Sequence, residues 1–426
     1  MNQPLGAKVR ALAGPAIIIF VALLAVFPEM VRGSSCGHDY DFHLVSWFDA
    51  LASWKQGVFY PHWTPSPNFE AGEPRFIFYP PFTWMLGGAL GTVFRWANVS
   101  VAMTWLMLAG AGLAAYALAR TVLPRGPATL AGCVALFSGY SLFNAYERTA
   151  FGELTGGIWI PLLLLFALRD RNPQGTLFQR AFDGSTALLA LVFSSAWFSD
   201  IPLGVITGYL LAATALAAAL QRRSWAPLLR AAAAAVLGIA LTSVYLLPAI
   251  VQQKWVDVHE ATSDPGSRIE DSWLFARHHS PEFEQHDLEL FRVSAIGTSV
   301  IAAALLCLLI AWRRKRLPGS PTLWIPLALI PAVVLVLQLP ISLPVWNLLP
   351  KMRFLQFPWR WLVTVQAPLG IFVASAIWID RRWLRRLLFT GLGFFTLCIT
   401  IFAGLSFFQS CFPEDTPRTM ADDFAS

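Results

Sequence analysis

Residues 12–28 of the chain read LAGPAIIIFVALLAVFP, an apolar run that follows Lys8 and Arg10. Residues 37–54 then read GHDYDFHLVSWFDALASW, which sets histidines and aspartates among large apolar side chains. The first run is close to the length that a helix needs to cross about 30 Å of hydrocarbon. Its basic flank is also typical of a signal peptide, but the residues around Cys36 lack a cleavage motif, which favours an uncleaved anchor.

The composition extends this pattern to the whole chain. Hydrophobic residues make up 56% of the 426 residues and charged residues only 13%, and the mean hydropathy is +0.56. Such a chain carries more apolar surface than a water-soluble core can bury. Because the apolar runs are continuous, we predict an all-α, polytopic membrane protein. The net charge of +6 then reports topology and does not indicate a nucleic-acid partner.

Clusters of basic residues separate the apolar runs and predict the topology. If every cluster faces the cytoplasm, successive clusters must be separated by an even number of crossings. The clusters are Lys8 and Arg10; Arg120 and Arg125; Arg169, Arg171 and Arg180; Arg222, Arg223 and Arg230; and the basic residues within 313–316 and 381–386. About eleven transmembrane helices satisfy this rule, at residues 12–28, 98–119, 127–143, 155–168, 185–199, 201–220, 229–250, 293–312, 322–339, 360–379 and 387–408.

The apolar segment 79–95, YPPFTWMLGGALGTVFR, must not cross the membrane if this parity holds. It is short, contains two adjacent prolines and carries Gly87 and Gly88, so we predict a re-entrant or interfacial segment. The alternative is that it crosses and that Arg120 and Arg125 violate the charge rule.

No tandem repeat or soluble domain is visible, so residues 1–426 are expected to form a single transmembrane domain. The topology predicts outer loops at 29–97 and 251–292 and an outer tail at 409–426. The second outer loop suits a lid, and its histidines and acids match no standard zinc spacing, which predicts a solvated surface. These residues are His259, His278, His279 and His286 with Glu260, Glu282, Glu284 and Asp287.

An amphipathic helix is predicted in the first outer loop. Asp39 and Asp41 stand at its start, where a carboxylate is favoured by free N–H groups and the helix dipole. Asp41 is therefore either a simple N-cap, or Asp39, Asp41, His38 and His43 form a reactive group at the membrane surface. The apolar face comprises Leu44, Trp47, Phe48, Leu51 and Trp54, and the polar face comprises His43, Asp49, Ser53 and Gln56.

Two further stretches place ionisable residues at the outer ends of spans. YERTAFGE, residues 146–153, contains Glu147, Arg148 and Glu153. These form either a structural ion pair or a second acidic motif that meets the first in a metal or general-base site.

LPKMRFLQFPWRW, residues 349–361, places Lys351, Arg353 and Arg360 among aromatic residues on the outer side. Such cations either snorkel to lipid headgroups or bind a lipid phosphate. Asp200, at another outer turn, either faces the same cavity or caps a helix.

The stretches GHDYDFHL, GVFYPHWTP, FIFYPPF, YERTAFGE and LQFPWR resemble motifs of the GT-C superfamily of integral membrane glycosyltransferases. More closely, they resemble bacterial membrane proteins with the 6-pyruvoyl-tetrahydropterin synthase-related domain. This resemblance implies an essential acid in the first outer loop, matched by Asp39 and Asp41, and a second acidic motif, matched by Glu147. The second motif is Glu-Arg and not a pair of acids, so whether these three residues hold a divalent metal ion stays open.

The implied function is sugar transfer from a polyprenyl-phosphate donor to an unidentified acceptor, at the outer face of the bacterial cytoplasmic (inner) membrane. Asp39 or Asp41 would take the acceptor proton, and Arg353, Arg360 and Arg148 would stabilise the departing phosphate. The remaining predicted substrate-binding residues are His38, His43 and Glu153. The alternatives are a transporter or flippase, which usually carries ionisable residues near the bilayer midplane, and a non-catalytic assembly factor.

Of the five cysteines, Cys133, Cys307 and Cys398 fall within predicted spans, where thiols behave as small apolar groups. Cys36 and Cys411 both fall on the predicted outer side. A disulfide between them is permitted in an oxidising compartment, and two free thiols are the alternative.

Overall fold

The computed structural model describes residues 5–169, 174–257, 263–317, 321–379 and 381–425. Arg171, His259 and Glu260, which the considerations above include, lie outside the described residues. The α-helices are α1 (Leu5–Ala25), α2 (Phe27–Arg32), α3 (Tyr40–Lys55), α4 (Arg75–Phe78), α5 (Pro81–Gly91), α6 (Trp96–Ala119), α7 (Arg125–Leu136), α8 (Gly139–Phe143), α9 (Phe151–Leu154), α10 (Gly156–Leu168), α11 (Leu177–Ala181), α12 (Gly184–Ser199), α13 (Ile201–Arg222), α14 (Ala226–Gln252), α15 (Glu284–Arg313), α16 (Pro321–Leu337), α17 (Leu343–Leu348), α18 (Gln366–Ile377), α19 (Arg382–Ser406) and α20 (Pro417–Ala425).

The all-α, polytopic fold is confirmed. Within the described residues, nine helical segments are long and apolar enough to cross a membrane. They are Trp96–Ala119, Arg125–Arg148, Phe151–Leu168, Leu177–Ser199, Ile201–Arg222, Ala226–Trp255, Pro281–Arg313, Pro358–Ile377 and Trp383–Ser406.

Two of the eleven predicted spans differ from the structure. The span at 322–339 belongs to a pair of helical segments, Pro321–Leu337 and Pro340–Leu348, that bend by 99° and together supply a tenth candidate. The break falls at residues 338 and 339, and Pro340 begins the second segment, where it lacks the N–H needed to continue the first helix. The span at 12–28 lies in α1, whose apolar part, Leu12–Ala25, is shorter than the other candidates.

The segment at 79–95 forms α5, a helix of 11 residues. At 1.5 Å per residue it is about 16 Å long, about half the thickness of the hydrocarbon core, as expected for a segment that does not cross alone. It packs directly on α3. A Cβ atom at Gly87 would stand 2.2 Å from the indole nitrogen of Trp47, so this close approach requires glycine.

Helix α3 is more buried than an interfacial helix with one wet face. Leu44, Trp47 and Phe48 are buried as predicted, but His43 and Asp49, assigned to the polar face, are buried as well. The segment that follows α3 covers this face, where the Ser66 hydroxyl donates to Asp49 over 2.6 Å. The predicted exposure of the polar face is therefore wrong for His43 and Asp49, whereas Ser53 is partly exposed and Gln56 is exposed.

A disulfide joins the two ends of the fold. Cys36 and Cys411 are bonded, with their Cα atoms 4.9 Å apart, so the pairing is confirmed and the free-thiol alternative is wrong. Beyond Cys411 the chain folds back over α3, where the rings of Phe424 and Phe48 lie 5.1 Å apart. The C-terminal tail is therefore covalently tied to the loop that begins α3.

Candidate active site

The two acidic motifs predicted from the sequence meet through their backbones. The Ser35 hydroxyl donates to the carbonyl of Tyr146 over 2.6 Å. The N–H of His38 donates to the carbonyl of Glu147 over 3.2 Å, and the N–H of Asp39 donates to the carbonyl of Arg148 over 2.9 Å. Residues 35–39 therefore run alongside residues 146–148 and place Asp39 beside the second motif.

The local conformation of the second motif makes these carbonyls available. Residues Asn144–Arg148 form a π-helical turn, and Thr149 ends it with a φ of +46°. Single π-helical turns interrupt the regular hydrogen bonding of α-helices and are frequent at functional sites. The interruption leaves carbonyl groups free to accept from the loop that precedes α3.

Asp39 carries a negative charge at neutral pH. Burial raises its pKa, but the nearby His38 ring and the charge of Arg148 outweigh burial and lower the pKa to about 2. The His38 ring nitrogen lies 3.6 Å from the Asp39 carboxylate, and this contact raises the pKa of His38 against the opposing effect of burial. The His38 side chain is 68% exposed and is the part of the pair that solvent and substrates reach.

Arg148 is the centre of a buried group of charges. Its guanidinium donates to the Glu153 carboxylate over 2.7 Å and lies 3.7 Å from Glu289. Glu153 also accepts hydrogen bonds from the hydroxyl of Tyr140 and, over 3.4 Å, from the amide of Asn144. We call Asp39, Tyr140, Arg148, Glu153, Glu289 and Arg360 the Arg148 cluster.

Arg360 joins the cluster from the other side of Glu153. Its Nε lies 3.5 Å from the Glu153 carboxylate, and its Nη1 donates to the carbonyl of Leu355 over 3.1 Å. The Arg360 side chain is 12% exposed, and its Nε has no hydrogen-bond partner among the described residues. An unsatisfied buried donor of this kind costs free energy unless a ligand or water accepts from it.

Asp200 is a helix cap that also faces this region. Its carboxylate accepts from the N–H of Leu203 over 2.9 Å at the start of α13. Burial raises the pKa of Asp200 to about 6, against the opposing charge of Arg360. The helix-cap interpretation of Asp200 is therefore confirmed, and Asp200 also lies close enough to Arg360 to interact with its charge.

Two residues of α15 contact the site and were not identified from the sequence. Arg292 donates to the Glu147 carboxylate over 2.6 Å, and Glu289 faces Arg148. Their signal was weak, because charged residues at the polar end of an apolar helix are common. Only the packing of α15 against residues 139–148 and α18 shows which charges they meet.

Two predicted site residues, Asp41 and Arg353, lie apart from the Arg148 cluster. Asp41 is exposed, and its pKa is raised by burial of part of the carboxyl group and by Asp415 of the C-terminal tail. Arg353 donates twice to the carboxylate of Glu270 over 2.8 Å, so its charge is already paired.

His43, a further predicted site residue, lies on the buried side of α3. Its ring packs against those of Phe42, Trp47 and Phe151, with ring centroids 5.2–6.2 Å apart. Burial lowers the pKa of His43 to about 4, so the imidazole is neutral at pH 7. This environment does not leave His43 open to a substrate.

The residues considered for a divalent metal do not converge. Asp39 faces His38 and Arg148, Asp41 faces the C-terminal tail, and Glu147 pairs with Arg292. Within the ranges that the structure describes, no group of three or more His, Cys, Asp or Glu side chains is arranged to hold a metal ion. These residues therefore do not fit a metal site.

Comparison with known proteins places the chain in a family. Residues 76–410 match the 6-pyruvoyl-tetrahydropterin synthase related domain, described as a membrane protein. The chain belongs to this family. The matched part of this 6-pyruvoyl-tetrahydropterin synthase (PTPS)-related protein begins after Asp39. It includes Glu147, Arg148, Glu153 and Arg360. No relative is found among curated protein sequences.

The fold of the PTPS-related chain is similar to that of a solved archaeal enzyme. It superposes on the oligosaccharyltransferase AglB from Archaeoglobus fulgidus, which was solved in complex with an inhibitory peptide and a dolichol-phosphate. The TM-score is 0.55 at 12% identity, and the superposition covers 98% of this chain and 60% of AglB. The apo form of the Archaeoglobus fulgidus oligosaccharyltransferase superposes with a TM-score of 0.51 at 14% identity, covering 97% and 56%. The chain thus spans less than two thirds of these enzymes. The GT-C-like fold is confirmed.

A looser superposition relates the chain to ArnT from Cupriavidus metallidurans bound to undecaprenyl phosphate. Its TM-score is 0.38 at 15% identity, covering 88% of this chain and 77% of that one. This score is too low to support an argument about the fold.

Proposed function

We propose that this protein is a GT-C type glycosyltransferase that moves a sugar from a polyprenyl-phosphate donor to an acceptor, with residues 1–426 acting as one transmembrane domain. The observation that carries the proposal is the pairing of residues 35–39 with residues 146–148. This pairing holds the ionised carboxylate of Asp39 beside Arg148. Arg148 is paired with Glu153, and Arg360 approaches Glu153 from the opposite side. The dolichol-phosphate in the AglB complex supports a lipid-linked donor.

In the proposed reaction an acceptor hydroxyl attacks the anomeric carbon of the donor sugar. The bond from the anomeric carbon to the phosphate oxygen breaks, the anomeric centre inverts, and polyprenyl phosphate leaves. The hydroxyl proton passes to a base, and a base works best when its pKa lies near the working pH. With a pKa of about 2, Asp39 alone is a weak base. His38 is therefore the proposed proton acceptor, and Asp39 stabilises the imidazolium that forms.

The departing phosphate needs cations near it. Arg360 is the first candidate, because its buried Nε lacks a hydrogen-bond acceptor within the described part of the chain. Its contact with Glu153, at 3.5 Å, is longer than the 2.7 Å contact between Arg148 and Glu153. We expect Arg360 to exchange Glu153 for a phosphate oxygen while Arg148 keeps Glu153 in place. Charge-assisted bonds from arginine suit a phosphate well.

We place the site at the outer face of a bacterial inner membrane. The disulfide between Cys36 and Cys411 supports this placement, because disulfides persist in oxidising compartments. The basic clusters at the opposite ends of the spans support the same orientation.

Two pairs of variants of the full chain in lipid nanodiscs test the proposal. Arg360→Gln should weaken binding of undecaprenyl phosphate at least tenfold, whereas Arg353→Gln should leave it unchanged, because Arg353 is exposed and paired with Glu270. Release of polyprenyl phosphate from a panel of polyprenyl-phosphate sugars should fall by roughly 10² in Asp39→Asn and stay near wild type in Asp41→Asn. Unchanged lipid binding in Arg360→Gln together with full activity in Asp39→Asn would favour a transporter or flippase instead.

A further inference from the structure

An open cleft lies beside the Arg148 cluster, where the loop before α15 meets the first turns of that helix. Its volume is about 690 Å³, which lies within the usual range for small-molecule sites, about 300–1,000 Å³. One wall is formed by Phe275 and Phe291. The rest of the lining is mixed, with apolar Ala276, Pro281 and Leu288 and polar Arg277, Glu282, Glu284, Gln285 and Asp287. The sequence predicted a solvated surface here, and the proposed reaction does not use these residues.

The aromatic wall is held in place although it is exposed. The rings of Phe275 and Phe291 lie 5.9 Å apart, and the two residues are 43% and 50% exposed. Phe275 has a φ of +58°, a conformation that is rare for a bulky side chain, and its N–H donates to the Ser294 hydroxyl over 3.0 Å. The backbone therefore holds the ring of Phe275 at the cleft, although burying this ring would gain free energy.

The polar side of the cleft offers acceptors without partners. Among the described residues, none forms a hydrogen bond or ion pair with the side chains of Glu282, Glu284 or Gln285. Asp287, by contrast, accepts from the ring and the N–H of His278 at 2.6 and 2.8 Å. Carboxylates accept hydrogen bonds, and the lining carries three of them against the single guanidinium of Arg277, so the cleft favours a ligand that supplies donors over an anion.

The same helix connects the cleft to the Arg148 cluster. Phe291 lines the cleft, whereas Glu289 and Arg292, on the adjoining face of α15, contact Arg148 and Glu147. The cleft therefore adjoins the part of α15 that contacts Arg148 and Glu147.

We propose that this cleft is the acceptor site and that it binds a hydroxyl-rich carbohydrate. Sugars present apolar C–H faces, which suit the two phenylalanine rings, and several hydroxyl donors, which suit free carboxylate and amide oxygens. The assignment of the carbohydrate as acceptor rests on the proposed glycosyltransferase function. Carbohydrate binding itself does not.

The test uses the full chain in nanodiscs and three neutral trisaccharides, maltotriose, mannotriose and chitotriose, with tri-lysine as a cationic peptide probe. Binding is measured by saturation-transfer NMR on the probes. Wild type should bind at least one trisaccharide, and Phe291→Ala and the double variant Glu282→Gln/Glu284→Gln should each weaken that binding at least tenfold. Phe69→Ala is the matched control, because it also removes an exposed phenylalanine, one that does not line the cleft, and it should bind like wild type.

Trisaccharide binding that is equal in Phe291→Ala and Phe69→Ala would overturn the inference. Binding of tri-lysine without any trisaccharide would overturn it too, in favour of a cationic peptide. These samples contain no polyprenyl phosphate. A failure here is therefore distinguishable from a failure of the donor-binding experiment on Arg360→Gln.

Discussion

Adding one methyl group at Gly37 should separate the two acidic motifs. A Cβ atom there would lie 2.4 Å from the carbonyl oxygen of Glu147 and 2.8 Å from that of Tyr146, both of them backbone atoms. The backbone of Gly37 lies outside the left-handed region, so alanine meets no conformational penalty. The entire effect of Gly37→Ala is therefore steric.

The size of the effect follows from these contacts. Ordinary van der Waals contact begins at 3.4 Å, so the loop must move by about 1 Å. That movement stretches the two backbone hydrogen bonds from His38 and Asp39, now 3.2 and 2.9 Å long, beyond useful length. Two such bonds contribute about 1–3 kcal/mol together, and the alternative of keeping the overpacked contact costs a similar amount. A displacement of about 1 Å at reacting groups can also lower a rate by about 10².

The assay compares Gly37→Ala with Gly391→Ala in the same nanodiscs. Gly391 lies within α19 and an added Cβ meets nothing within 4 Å, so alanine there should be neutral or stabilise by about 0.5–1 kcal/mol. Unfolding free energy and release of polyprenyl phosphate are both measured. Equal stability and equal activity in the two variants would refute the argument that the backbone pairing builds the site.

Three other outcomes are expected. Burial lowers the pKa of His43 from 6.5 to about 4 in the folded chain, so between these pH values the unfolded chain binds a proton that the folded chain does not. The unfolding free energy should therefore fall by up to about 1.4 kcal/mol for each unit by which the pH is lowered from 6.5 to 4. In pH-dependent denaturation, His43→Phe should lack this component, and an unchanged slope would contradict the burial. Reduction of the Cys36–Cys411 bond should lower the free energy of unfolding by about 2–5 kcal/mol, measured by thermal denaturation with and without reductant. A variant with both cysteines replaced by serine should be insensitive to reductant. Arg148→Met should cost about 3–5 kcal/mol in chemical denaturation, because it leaves Glu153 buried with only the longer contact to Arg360, and adding Glu153→Gln should recover part of that loss.

The helices were largely predictable because hydropathy is a local property. The predicted spans at 155–168, 185–199 and 201–220 match α10, α12 and α13 within two residues at each end. A continuous apolar run of sufficient length must form a helix in hydrocarbon whatever its neighbours are. The same kind of local reasoning applied to two further features. The length of the segment at 79–95 indicated that it is too short to cross alone, and the predicted outer position of Cys36 and Cys411 permitted their disulfide.

The site was predictable only in part. Asp39, Glu147 and Arg148 could be identified because ionisable residues next to apolar spans are costly unless they pair or function. Sequence reasoning did not distinguish Asp39, which meets Arg148, from Asp41, which faces the C-terminal tail. The two residues are only two positions apart, Asp39 just before α3 and Asp41 in its first turn, and the direction of each side chain depends on what packs around them.

The tertiary structure alone determined which charges are partners. Arg353 and Arg360 look equivalent in the sequence, yet one pairs with Glu270 at the surface and the other reaches Glu153 in the interior. Glu289 comes from a helix far along the chain and meets Arg148 only because α15 packs beside residues 139–148. Apolar length specifies each helix on its own, whereas ion pairs depend on the rotation and depth of neighbouring helices, which small-residue contacts and long-range packing decide.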